Sequence, residues 1–232
     1  MKHTIALAAA ALLLASCGDS DSKFGVSGIG SIELNDSVFA IHYYKSTLLL
    51  DGSVSSAGLT DSCRVYFEGK GTLVSEGEDG AVYNFTPTTI SADITTPIFM
   101  LDSAAQASAD TMRTASSSEG FFARDIHITR DWRHNDFLDA TGTYPGALDP
   151  SGDYFGFFAD TTTIGQDTIK LWLRLCRAQT DSTVMVTKRI STPVSCLQDT
   201  ARERVIVNIR RIDAYGDTVS TDLVYSYVNW IN

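Results

Sequence analysis

The chain has 232 residues, a formal net charge of −10, 44% hydrophobic residues and 10% aromatic residues. This excess of acidic residues argues against nucleic acid as a partner and against electrostatic binding to anionic lipid, because both need clustered Lys and Arg side chains. The apolar content excludes a disordered protein, and the length suits one large domain or two small ones.

Residues 1–16 have the pattern of a signal peptide. Lys2 and His3 precede an apolar run, Thr4 to Leu14, that is too short to cross a bilayer as a stable helix. Small residues then lead to Cys17 in the stretch "LASC", which has the form of a bacterial lipobox. We therefore predict cleavage before Cys17, lipidation of its thiol and stable anchoring by several acyl chains. The alternative is an ordinary secretory signal with a chance cysteine.

Residues 17–30 are predicted to be an acylated tether. Gly18 to Ser22 is small, polar and acidic, and it resembles the export signals of surface lipoproteins in Bacteroidetes; a plain solvated linker is the alternative. The glycines of "GVSGIG", Gly25 to Gly30, match neither a dinucleotide fingerprint nor a G-x-S-x-G nucleophile elbow. We assign this stretch to the tether.

Residues 31–101 contain short β-branched and aromatic runs separated by Gly, Asp, Ser and Thr, which predicts a β domain. Val38 to Tyr44 is one such run. Cys63 to Glu68 alternates between apolar and polar residues, so Cys63 is predicted to be a buried small hydrophobe. The stretch "EGEDG" predicts a hairpin turn before the run Val82 to Phe85.

Residues 102–123 are predicted to be a linker or mobile loop. Asp102 to Gly120 holds almost nothing large and apolar, although a helix over Ala104 to Met112 is an alternative. Ser103 and Thr111 each follow an Asp and precede an apolar residue, a pattern that resembles an O-glycosylation sequence of Bacteroidetes envelope proteins. In a chain rich in Asp, Ser and Thr, chance occurrence is the alternative.

Residues 124–232 have the pattern of an antiparallel β-sandwich. Ile169 to Arg177 and Arg204 to Arg210 alternate cleanly, and turn signals separate six or seven such runs. Tyr154 to Phe158 is an aromatic strand. We expect its side chains in the core, although an exposed platform for a sugar or a partner protein is the alternative.

Five stretches carry a resemblance to a known family: "SCRVYFEG", "VYNFTPTTISADITTPI", "IHITRDWRHNDFLDATG", "DTIKLWLRL" and "ERVIVNIRRIDAYGDTVSTDLVYSY". With the lipobox, this layout resembles the NigD-like lipoproteins of Bacteroidetes along nearly the whole chain. The resemblance implies an all-β fold, with an N-terminal OB-like barrel followed by a C-terminal antiparallel β-sandwich. The founding member is described as a bacteriocin immunity protein, so the resemblance also implies an immunity-like role.

Three cysteines follow Cys17, and outside the cytoplasm a pair of them can form a disulfide. We favour Cys176 with Cys196, because both lie in the second half at a separation that suits neighbouring strands. Among the histidines, His127 and His134 lack the spacing of a metal site, so we expect solvated loop residues and no metal.

No residue spacing matches a catalytic constellation, and we expect no enzyme activity and no cofactor. The sequence predicts a cell-envelope lipoprotein of the outer membrane, facing the cell surface or the periplasm, that binds or shields against an envelope protein, a toxin or a glycan. A glycan-binding or glycan-processing accessory protein is the alternative, and a structural subunit of an envelope complex is a third reading. A glycan hydrolase would need two carboxylates about 5 to 9 Å apart in a cleft.

Overall fold

The structure is a computed structural model that describes residues 23–36, 38–51, 54–56, 58–78, 80–101, 119–146, 152–177, 184–197 and 203–226. In these residues no helix is long and apolar enough to cross a membrane. The predicted signal peptide and the sites predicted at Cys17, Ser103 and Thr111 lie outside the described residues. The strands are β1 Phe24–Leu34, β2 Phe39–Tyr43, β3 Ser46–Leu50, β4 Arg64–Gly77, β5 Gly80–Ile90, β6 Phe99–Leu101, β7 Phe122–Arg130, β8 Asp136–Gly146, β9 Tyr154–Asp160, β10 Thr168–Cys176, β11 Val184–Pro193, β12 Arg204–Ile212 and β13 Thr218–Ser226.

The strands β1 to β5 close into a barrel in the order β1-β2-β3-β5-β4, with β3 parallel to β5. The alternation of the sequence in β4 explains the barrel core, because Val65 and Phe67 point inward and pack with Ile41 of β2. Cys63 is buried in the same core, as predicted, and burial raises the pKa of its thiol. A closed five-stranded barrel of this kind confirms the predicted OB-like first domain.

The first strand begins at Phe24, so the predicted tether of residues 17–30 extends too far. "GVSGIG" belongs to β1 because its glycines leave room for neighbouring side chains. A Cβ at Gly28 would lie 2.4 Å from the ring of Tyr43, and one at Gly30 would lie 2.5 Å from Ile41. These glycines therefore permit close packing across β1, where the sequence alone suggests a flexible segment.

The remaining strands form a β-sandwich. Its larger sheet has the order β13-β12-β10-β9-β6, and its smaller sheet has the order β11-β8-β7. Leucines of β10, such as Leu171 and Leu173, pack with Leu138 of β8, as the alternation predicts. Phe155 and Phe157 of β9 also lie in this core, which confirms that most of the aromatic strand is structural. Two pairings, β6 with β9 and β10 with β12, are parallel, because the chain passes through strands of the smaller sheet between their members.

Two predicted domain limits shift. Residues Phe99–Leu101 form β6, which pairs with β9 and therefore belongs to the sandwich and not to the barrel region 31–101. Strand β7 begins at Phe122, inside the predicted linker 102–123. The sequence signal at β6 is weak because the strand has only three residues and follows Pro97.

The predicted disulfide between Cys176 and Cys196 is not formed in the structure. Cys176 follows the core residue Leu175 in β10, so its side chain points to the opposite face of the larger sheet. Cys196 is exposed in a 3-10 turn, Ser195–Leu197, that follows β11 of the smaller sheet. The two cysteines therefore lie on different layers, and their sequence separation alone did not reveal this.

Candidate functional site

The barrel packs against the outer face of the smaller sheet. Leu138 and Ala140 of β8 fill the sandwich core, so Asp139 and Thr141 point out toward the barrel. On the barrel side, the same alternation turns Arg64 of β4 outward. A polar face of one domain therefore meets a polar face of the other.

Arg64 is the centre of this interface. The residue is 2% exposed, and its Nη2 donates to Asp139 Oδ2 at 2.8 Å and to Thr129 Oγ1 at 2.8 Å. Its Nε donates to Ser191 Oγ at 2.9 Å, and its Nη1 donates to Ser31 Oγ at 3.0 Å. One barrel side chain thus contacts all three strands of the smaller sheet, and a buried ion pair with this many partners resists any change in domain orientation.

The chain segment between the barrel and β6 adds backbone contacts to the interface. The amide of Ile94 donates to the carbonyl of Arg64 at 2.8 Å, and the amide of Ser191 donates to the carbonyl of Ile94 at 3.0 Å. The amide of Thr96 donates to the carbonyl of Ser191 at 2.9 Å. The connecting segment is therefore hydrogen-bonded to both domains.

Aromatic and charged contacts stabilise one side of the interface between barrel and sandwich. The ring of Trp132, in the turn between β7 and β8, stacks on His42 of the barrel with centroids 4.9 Å apart. Glu33 and His42 are paired at 2.8 Å between Oε2 and Nε2. Arg133 of the same turn forms an ion pair with Asp61. Hence the barrel and the sandwich are joined at more than one place.

Away from these contacts, the interface opens into a cleft of about 390 Å³. This volume falls in the range of small-molecule sites, roughly 300 to 1,000 Å³. The barrel supplies three tyrosines and the sandwich supplies charged residues and a histidine. The side chains that the cleft presents are Tyr43, Tyr44, Tyr66, Arg124, Asp125, His127 and Arg189.

Two guanidinium groups lie on the sandwich side of the cleft. Arg124 of β7 and Arg189 of β11 are both paired with Thr141 of β8, so the three residues form one row across the smaller sheet. The backbones of β7 and β11 are two strand spacings apart, about 10 Å. Arg189 also lies over the ring of Tyr66, at 3.6 Å from its centroid. Among the described residues, neither arginine forms an ion pair, so the row favours an anionic group placed between them.

The backbone is left-handed at two residues that line the cleft. Tyr44 has φ 51° and Asp125 has φ 54°, a region that side chains other than glycine rarely adopt. Asp125 lies in a β-bulge of β7, where the register shifts between Arg124 and His127. Such conformations concentrate at functional sites, and both of these occur at the same cleft.

Tyr43 supplies a neutral hydroxyl to the cleft. Burial raises its pKa to about 12, and the neighbouring Tyr44 and the carboxylate of Asp125 add to the effect. The hydroxyl therefore remains protonated at neutral pH and is able to donate a hydrogen bond. It complements the guanidinium groups on the opposite wall.

The structure separates the two histidines considered as metal ligands. His127 lies in the cleft, with its Nε2 3.9 Å from the buried Asp139, whereas His134 lies in the turn between β7 and β8. The described part of the chain contains no group of three or more His, Cys, Asp or Glu side chains that could hold a metal ion. The sequence analysis did not identify Tyr44, Arg124 and Arg189 as site residues. The one local signal was that the alternation of apolar and polar residues breaks after Arg124.

The fold and the cleft define a class of all-β protein with an OB-like barrel docked on a β-sandwich. The sequence matches no protein-family profile and no curated protein. Among solved structures, the chain is similar to a NigD-like immunity protein from Bacteroides caccae ATCC 43185, with a TM-score of 0.59 and 12% identity over 90% of this chain and 99% of that chain.

Two further solved structures are similar. A protein of unknown function from Bacteroides vulgatus ATCC 8482 gives a TM-score of 0.63 and 11% identity over 89% of this chain and 93% of that chain. A candidate lipoprotein from Bacteroides fragilis NCTC 9343 gives a TM-score of 0.57 and 10% identity over 88% of this chain and 98% of that chain. At these identities the similarity establishes the fold alone. The shared fold confirms the predicted resemblance to NigD-like proteins.

Proposed function

We propose that this protein is a non-enzymatic cell-envelope lipoprotein that is anchored to the outer membrane through Cys17 and binds a partner in the cleft between barrel and sandwich. The cleft carries the proposal, because it combines tyrosine rings, two guanidinium groups and two left-handed residues at one place. The buried contacts of Arg64 hold the two walls in position, and a preformed site loses less entropy on binding. The solved structures of a NigD-like immunity protein and a candidate lipoprotein with the same fold support a protective role in the envelope.

The charges of the cleft favour binding over glycan hydrolysis. Among its described lining residues, Asp125 is the only carboxylate, and the nearby Asp139 is fully buried and paired with Arg64. A glycosidase needs two carboxylates on either side of the bond that it cleaves, about 5 to 9 Å apart. A role as a glycan-binding accessory protein is the second candidate, and the exposed ring of Tyr44, at 70% exposure, favours it.

The test is capture of the partner from the native cells. Full-length tagged protein is cross-linked mildly in growing cells and purified, and its partners are identified by mass spectrometry. We expect one specific envelope component with the wild-type protein, and a strong loss with Arg189→Ala. Val224→Ser, at an exposed position on β13, is the matched surface control and should capture the partner normally. Equal capture by the Arg189 variant would contradict the role of the cleft.

The anchor is tested separately. Cys17→Ala should move the protein from the outer-membrane fraction to the soluble fraction, because the acyl chains supply the membrane affinity. Protease treatment of whole cells then distinguishes the surface from the periplasm. Retention of the Cys17 variant in the membrane fraction would contradict lipid anchoring.

A further inference from the structure

A second pocket, of about 470 Å³, lies at the edge of the sandwich. Its rim carries two aromatic rings that face solvent, Phe122 of β7 at 47% exposure and Tyr215, in the turn between β12 and β13, at 83% exposure. Their centroids are 6.1 Å apart and their planes are perpendicular. A contiguous pair of exposed aromatic rings beside a concave surface is a candidate site for a ligand.

The two pockets share Arg124 and follow one another along β7. Phe122 is paired with Thr143, and Arg124 is paired with Thr141, so both pairs lie on the same face of the smaller sheet. Residues two apart on a strand are separated by about 7 Å. The cleft and the edge pocket are therefore consecutive parts of one groove, which we call the β7 groove. Its members used below are Tyr44, Arg189, Arg124, Phe122, Arg211 and Tyr215.

Aromatic rings and guanidinium groups occur together in both parts of the β7 groove. Tyr44 lines the cleft with Arg189 and Arg124, and the Phe122–Tyr215 pair lines the edge pocket that shares Arg124. Arg211 lines the edge pocket as well, and its Nε is buried without a hydrogen-bond partner, while its Nη1 donates to Thr221 at 3.0 Å. The groove therefore offers flat apolar faces beside guanidinium groups. Its lining also includes two carboxylates, Asp125 in the cleft and Asp213 in the edge pocket, and Asp213 Oδ1 accepts from the amides of Tyr215 and Asp217.

We propose that the β7 groove binds an acidic oligosaccharide. The apolar faces of its sugar rings lie against Tyr44 and the Phe122–Tyr215 pair, and a sugar carboxylate lies between Arg124 and Arg189, where a planar guanidinium bonds it with two hydrogen bonds. This inference rests on the proposed binding role of the cleft, takes the second candidate of that proposal, a glycan, as the partner, and names the class of glycan.

The observations favour a sugar chain over other polymers. A nucleic acid also has rings and charges, but its binding needs many Lys and Arg side chains that follow the phosphate backbone, and the lining residues of the two pockets include three arginines and no lysine. A protein partner would call for a broad face with an apolar centre, and the β7 groove instead has separate rings set among charged groups. An acidic sugar chain needs one or two cations among several ring contacts, which is the pattern of this groove.

The test is calorimetric titration of the full mature chain in detergent with tetragalacturonate. Fully methyl-esterified tetragalacturonate is the matched probe, because it keeps the rings and removes the charges. We expect binding of the acid and at least about tenfold weaker binding of the ester, since a hydrogen bond to a charged group is worth that factor or more. Tetraglutamate, which has the charges without the rings, should also bind at least about tenfold more weakly, because it loses the contacts with Tyr44 and with the Phe122–Tyr215 pair.

Variants locate the site. Arg124→Ala, at the residue shared by both pockets, should weaken binding of tetragalacturonate by about tenfold or more, and Tyr215→Ala should weaken it by about threefold to tenfold. Arg210→Ala is the control of equal charge, because Arg210 is exposed on the strand that carries Arg211 but points to the opposite side. It should leave the affinity unchanged.

The proposal is overturned if tetragalacturonate does not bind, if the ester or tetraglutamate binds equally well, or if Arg210→Ala weakens binding as much as Arg124→Ala. Capture of a protein partner that depends on Arg189, together with failure of tetragalacturonate, would keep the proposed function and reject the sugar. Binding of tetragalacturonate that persists in Arg124→Ala and Tyr215→Ala would place the sugar elsewhere and reject the β7 groove.

Discussion

At the scale of single residues, Arg64 has the largest predicted effect on stability. Replacing it with Met removes all four hydrogen bonds from its guanidinium and leaves the fully buried Asp139 without its cation. Breaking a buried pair from one side typically costs about 3 to 5 kcal/mol, because the remaining charge is left in a low dielectric. We expect Arg64→Met to lower the free energy of unfolding by this amount in urea denaturation.

Two comparisons make the Arg64 experiment specific. Arg133→Met removes a solvent-exposed ion pair with Asp61 and should have a much smaller effect on the free energy of unfolding than Arg64→Met. Adding Asp139→Asn to Arg64→Met removes the orphaned charge and should recover part of the lost stability. Equal effects at Arg64 and Arg133 would contradict the central position of Arg64 in the interface.

The raised pKa of Tyr43 predicts that the stability of the protein depends on pH in the alkaline range. Its pKa is raised to about 12 in the folded state, whereas a free tyrosine has a pKa of about 10. The folded state therefore keeps a proton that the unfolded state loses, so the contribution of Tyr43 to stability is complete below pH 10 and falls as the pH rises through 12. In a spectrophotometric titration of tyrosinate, Tyr43→Phe should remove a step near pH 12. Loss of a step near pH 10 instead would show that the hydroxyl is not buried as described.

At the scale of elements, the bulge in β7 determines where Arg124 lies. Asp125 adopts φ 54° at this bulge, and the register shift follows it directly. A β-branched residue is poorly tolerated in that region, so Asp125→Val should lower the free energy of unfolding by about 1 to 2 kcal/mol. Asp125→Gly should keep stability within about 0.5 kcal/mol, because glycine accepts the conformation but has a more flexible unfolded chain. Thermal unfolding of the two variants measures both changes in stability. An equal loss of stability in the two variants would show that the effect comes from the lost carboxylate and not from the backbone conformation.

The sequence predicts some elements well because their evidence is local. Strands β4, β10 and β12 alternate with period two, and each has one face in a core, so neighbouring residues report the strand directly. In β1 the glycines Gly28 and Gly30 gave a misleading signal, since their role depends on side chains of the neighbouring strand β2, which lie outside the local sequence window. The parallel pairings of β6 and β10 likewise depend on where the chain returns after crossing to another layer.

The candidate site could not be read from the sequence for a related reason. Tyr44, Arg124 and Arg189 come from three separate regions of the chain, and only docking of the barrel on the smaller sheet brings them to one cleft. Each of them looks like an ordinary exposed residue in its own window. His127, which the sequence analysis assigned to a solvated loop, lies instead in β7 and lines the cleft beside arginines and tyrosines.

At the scale of the whole molecule, the cleft depends on a constant relation between barrel and sandwich. Arg64, the stacked Trp132 and His42, and the segment around Ile94 connect the two domains at separate places. Domains that share so many buried polar contacts should unfold together, because either domain alone would leave those groups without partners. This coupling leads to a prediction about the entire protein.

We expect calorimetry of the wild-type protein to give one transition in which the calorimetric and van't Hoff enthalpies agree. Arg64→Met should keep one transition but at a clearly lower temperature, because the Trp132–His42 stack and the segment around Ile94 still join the domains, whereas Arg133→Met should lower the temperature only slightly. Two separate transitions in the wild-type protein would mean that the domains are independent. The cleft would then have no preformed shape, and the affinity attributed to its arginines and tyrosines would have to include the cost of bringing its walls together.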